Sequence, residues 1–156
     1  MIVEWLIKQL NQLEKKIAPN PRRIPITRSL VYDLQAIYNQ VVRTYFTFSP
    51  NEIQIRWYGS KQRKNKRSIT LGTYSPQKKV ISINRKLDCE KVPQNVLEFV
   101  IYHETLHHVI PVKIDPITGR RIVHGLQFKL EEKKHPFYVE SKQWLTKNQW
   151  ALMRGL

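Results

Sequence analysis

Two histidines and a glutamate fall within five residues of one another, in His103-Glu104-Thr105-Leu106-His107. On a helix, residues four apart share a face and lie about one turn from each other. Imidazoles placed this way suit adjacent corners of a tetrahedral zinc site. The glutamate between them can reach water on an open metal position and act as a general base. A catalytic zinc asks for three protein ligands, so one more must come from elsewhere in the chain. His124 is the leading candidate, because it follows a turn and Gly125 beside it permits close backbone approach. Asp115 and Glu140 are weaker alternatives, Asp115 reading more simply as a turn former. His108 points about 100° around the helix from His107 and reads as a core or supporting residue. His135, before Pro136, reads as a solvent-exposed residue at a helix end.

Three neutral imidazoles on zinc would bring the pKa of its water to about 7. With Glu104 as base and a carbonyl polarised by the metal, the chemistry implied is amide or peptide hydrolysis. A further group to stabilise the transition state is expected. Arg120, Arg121 and Tyr138 are candidates among which the sequence does not choose.

These residues need elements to hold them. Val92-Pro93 opens a helix whose apolar positions Val96, Leu97, Val100, Ile101 and Leu106 spread over a broad surface, and Ile110-Pro111 ends it. A central helix has reason to carry polar residues on one side only if something there satisfies them. Upstream, Val3, Leu6, Leu10, Leu13 and Ile17 form the stripe of a helix over residues 2–17, which Ala18-Pro19-Asn20-Pro21 breaks. A second helix is expected from Thr27 or Ser29 to Tyr45, with Leu30, Leu34, Ile37, Val41 and Tyr45 as its stripe. The period then changes to two. Ile53, Ile55 and Trp57, Ser68 to Tyr74, and Val80 to Asn84 read as strands of a three-stranded, mostly antiparallel sheet. Lys61 to Arg67 holds five cations in seven residues and reads as a solvated hairpin loop. Two more helical patches are expected around 128–134 and 138–153.

Composition bounds the rest. The 156 residues and 41% hydrophobic content fit one folded domain, 1–156. Cys89 is the one cysteine, which excludes a disulfide framework and a multi-cysteine zinc ribbon. No apolar run approaches the ~20 residues needed to span a bilayer. The N-terminal residues read as an amphipathic helix and not as a signal peptide, so a cytoplasmic setting is expected. The formal charge of +15 points to a polyanionic partner, nucleic acid before an anionic membrane surface. Lys61, Arg63, Lys64, Lys66 and Arg67 are candidate phosphate contacts; Lys78-Lys79, Arg85-Lys86 and Lys133-Lys134 are further basic pairs. Trp57 reads as an ordinary strand residue before a base-stacking one.

From Ile53 to Trp144 the chain resembles the SprT-like family of zinc metalloproteases, which includes the DNA-dependent protease Spartan. The resemblance rests on Leu71-Gly72-Thr73-Tyr74, Ile81-Ser82-Ile83-Asn84 before Leu87-Asp88, Val92-Pro93, the run Val96 to Tyr102 into His103-Glu104-Thr105-Leu106-His107, and His124-Gly125-Leu126-Gln127-Phe128. It implies a zincin-like α+β metalloprotease core, which here follows the N-terminal helical part (1–48) read from periodicity, with a zinc cofactor on His103, His107 and His124 and Glu104 as catalytic base. It implies a zinc-dependent peptidase acting on protein or peptide substrates, with DNA as a candidate partner. The cysteine ribbon that many members carry after this core is absent, so any nucleic-acid contact falls to the basic surfaces of the core. The alternative is a non-catalytic basic nucleic-acid-binding protein with a structural or vestigial zinc site.

Overall fold

The computed structural model describes residues 31–61 and 68–155. The helix expected over 2–17, the break after it, Leu30 and the cations Arg63, Lys64, Lys66 and Arg67 lie outside the described residues.

Helix α1 spans Leu34–Tyr45. It starts later than the sequence pattern suggests, because the Asp33 side chain caps it by accepting from the Ala36 N–H at 3.0 Å. Leu34, Ile37, Tyr38, Val41 and Val42 form its buried face. A short turn over Pro50–Glu52, closed by Ser49 and Glu52 as a capping box, leads into the sheet.

Strands β1 (Gln54–Tyr58), β2 (Gly72–Ser75) and β3 (Val80–Asn84) are hydrogen-bonded in the order β1-β3-β2. This corrects the expected topology. β2 and β3 are antiparallel, joined by a tight turn with Lys79 at φ 50°, but β1 runs parallel to β3, with Ile55 opposite Ile81 and Trp57 opposite Ile83. The sheet is mixed, and β1 and β2 are not neighbours. The connection from β1 to β2 therefore does not close a hairpin between paired strands, contrary to the expectation from sequence. The physical reason lies in β3, whose Ile81 and Ile83 are fully buried and take the centre, where a strand is covered on both sides.

Helix α2 spans Gln94–Val109 and carries His103, Glu104 and His107. Val96, Leu97, Phe99, Val100, Ile101, Tyr102, Thr105 and Leu106 are buried around it, as befits a helix packed by α1, the sheet and the C-terminal helices. After Ile110 the chain forms a small hairpin, β4 (Lys113–Ile114) with β5 (Arg121–Ile122). Asp115 is the turn former expected of it, its carboxylate accepting from the Ile117 and Thr118 N–H groups at 2.9 and 2.8 Å. Helix α3 (Leu126–Glu132) and helix α4 (Tyr138–Arg154) complete the α+β arrangement. No helix among the described residues is long and apolar enough to cross a membrane.

His135 corrects another expectation. It is 2% exposed, its ring lying among Tyr45, Phe99 and Tyr102. Burial holds its pKa down to about 4. An unfolded histidine titrates near 6.5, so between these values the unfolded chain binds a proton that the folded chain refuses. Stability therefore falls as pH drops from about 6.5 toward 4. His135→Phe should shrink the difference in Tm between pH 7 and pH 5, a scan that would contradict the assignment if the difference stayed whole.

Candidate metal centre

His103 and His107 project from α2, and His124 arrives from the short link between β5 and α3. Their ring centroids form a nearly equilateral triangle, with sides of 5.2, 5.0 and 4.9 Å. One nitrogen from each lies within 4.8 Å of the others. His124 Nε2 and His107 Nε2 are 3.1 Å apart. Two nitrogens about 2.0–2.1 Å from a shared tetrahedral ion would stand roughly 3.3 Å apart, so the spacing fits a metal between them.

The surroundings fit as well. Burial first, then the neighbouring His103 and His124, keep the pKa of His107 down to about 4. The pKa of His124 is lowered too, by burial first and then by the charge of His103. Both shifts favour the neutral imidazole, the state a metal requires of them. Phe128 backs the triangle, its ring stacked on His107 at 4.6 Å and within 4.7 and 5.1 Å of His124 and His103. The four-residue step from His124 to Phe128 across the start of α3 places ligand candidate and backing ring together.

Glu132, at the end of α3, is a residue the sequence reading missed. Its Oε1 lies 2.7 Å from His103 Nδ1, leaving Nε2 of that ring for a metal, and Lys142 Nζ lies 3.2 Å from the same oxygen. Burial alone would raise the Glu132 pKa; the hydrogen bond and charge of His103, with Lys142, outweigh it and lower the value. A carboxylate behind a ligating imidazole fixes the ring's tautomer and orientation. Glu132→Gln should weaken metal affinity by roughly 10–100-fold, read by competition with a chelating indicator; an unchanged affinity would assign Glu132 to packing alone.

Glu104 follows His103 on α2 and is only 6% exposed. Its pKa is pushed up to about 7 by burial, against the opposing pull of His103. Strand β2 closes over it. A Cβ on Gly72 would stand 2.7 Å from both Cγ and Oε1 of Glu104, so this glycine is what lets strand and carboxylate meet.

The other sequence candidates fall elsewhere. His108 binds the Tyr74 hydroxyl through Nδ1 at 2.8 Å and packs on Phe48, a supporting role as expected. Glu140 meets Asn95 on the surface. Trp57 is buried in the core. Among the basic residues, Lys61 pairs with the fully buried Asp88 at 3.5 Å, and Lys86 is buried with Nζ donating to the Met153 carbonyl at 2.8 Å. Lys86 is therefore not the surface cation its position in a basic pair suggests.

No family model matches the chain, and a search of curated proteins finds no match. Among solved structures the chain is similar to the metallopeptidase zymogen of Methanocaldococcus jannaschii jannalysin, at 19% identity with a TM-score of 0.51. The alignment covers 75% of this chain and 97% of that one. The fold is metallopeptidase-like.

Proposed function

We propose that the chain is a zinc-dependent peptidase of SprT type, with His103, His107 and His124 as metal ligands and Glu104 as catalytic base. The observation that carries this reading is the three-imidazole triangle with a buried, proton-accepting carboxylate one residue from its first member. When bound, zinc would supply an activated water and polarise the substrate carbonyl. Glu104, with a pKa of about 7, is poised to take a proton near neutral pH and return it to the leaving amine. Glu132 holds the His103 ring in place throughout. Among the described residues β2 is the edge of its sheet, where an extended peptide could pair and pass Glu104. On net charge alone, we extend the proposal to substrates associated with DNA.

The test is metal dependence. The purified protein should bind zinc stoichiometrically, cleave an unfolded protein such as casein, lose that activity to a chelator and regain it with zinc. Hydrolysis at full rate by metal-stripped protein would sink the reading.

A further inference from the structure

The Phe128 ring that backs the imidazoles is also a wall of a second concavity. Ile110, Pro111, Ile122, Val123, Leu126 and Phe128 give this pocket its apolar walls, and its volume is about 170 Å³. Pockets for whole small-molecule ligands run from about 300 Å³ upward, so this one has room for a single side chain. Its rim is unusual for a surface. Leu126 is 76% exposed, and Ile122 and Val123 also face solvent, although buried apolar positions lie close by. Apolar side chains grouped around a concavity mark a contact surface.

Its position says what makes the contact. Gly125, next to His124, and Phe128, packed on His107 and His124, both contribute to the lining, so the pocket adjoins the candidate metal centre. Phe128 stands 4.6 and 4.7 Å from the His107 and His124 rings, which puts the pocket one ring's thickness beyond them. An extended peptide advances about 3.3 Å per residue with side chains alternating in direction. A peptide that crossed the triangle toward this face would reach the pocket two or three residues from the bond at the metal.

We propose that this pocket selects substrate, taking one aliphatic or aromatic side chain two or three residues from the cleaved bond. The proposal rests on the peptidase reading above.

The test uses the zinc-loaded protein and synthetic peptides identical except for Leu, Ala or Asp at each of those positions. At one of them Leu should exceed Ala by about tenfold in kcat/KM, the scale on which apolar pockets discriminate. The same order should appear in Kd with zinc-loaded Glu104→Gln. Val123→Phe, at an exposed position, fills the pocket and should remove most of the preference in both measurements; Leu126→Lys should weaken it from the rim. Equal Kd and equal kcat/KM across the series would overturn the pocket while leaving the peptidase reading intact. Discrimination in Kd without cleavage of any peptide would uphold the pocket and overturn the hydrolysis. A dimer in sedimentation that Leu126→Lys dissociates, with peptide preference unchanged, would reassign the face to contact between copies and overturn the proposal.

Discussion

Glu104→Gln should keep its zinc and its fold while kcat falls by roughly 10²–10⁴-fold, the usual contribution of a general base. The substitution leaves His103, His107 and His124 untouched and conserves shape in a position that is 6% exposed. The amide cannot take up a proton, so the one function it removes is the one assigned to the carboxylate. Stability should hold or rise, because the surroundings already disfavour the charged form enough to push the pKa up to about 7. Metal analysis, circular dichroism and initial rates on one preparation separate these effects. A variant as fast as the parent would place the base elsewhere.

Gly72→Ala should cost about 10²-fold in kcat with metal content unchanged, the scale of loss when a reacting group is moved by about 1 Å. The added methyl would sit 2.7 Å from Cγ and Oε1 of Glu104, closer than non-bonded carbon approaches, so the carboxylate must shift or the strand must lift. The three atoms nearest the new methyl all belong to Glu104. Thr73→Ala, next along β2 and facing solvent, is the matched control and should leave kcat near the parent value. If both variants behaved alike, the closeness of β2 to Glu104 would carry no catalytic weight.

The helix under the candidate site was legible because its signals are local. Pro93 at the entrance, Ile110-Pro111 at the exit and the four-residue spacing of His103 and His107 need no knowledge of neighbours. His124 could be singled out because a turn and a glycine flank it, and the structure brings its ring to the other two. Pairing was not legible. Alternation tells which face of a strand is buried and says nothing about which strand lies beside it. The parallel contact of β1 with β3 was missed for that reason. Glu132 was missed because its partner His103 is 29 residues away, and a helix-end glutamate ordinarily signals only solvent. His135 misled for a similar reason. Lys133, Lys134 and Pro136 surround it in sequence, and the rings that bury it come from α1 and α2.

The order β1-β3-β2 also carries a kinetic consequence. The central strand is the last of the three to leave the ribosome, so β1 must wait unpaired for β3 to arrive. The β2–β3 hairpin closes over a four-residue turn, an event of roughly 1–10 μs, whereas β1 must search across a much longer loop for its parallel partner. The hairpin that presents Gly72 to α2 is thus the local, early-forming unit. The strand that completes the sheet on its far side is the late arrival.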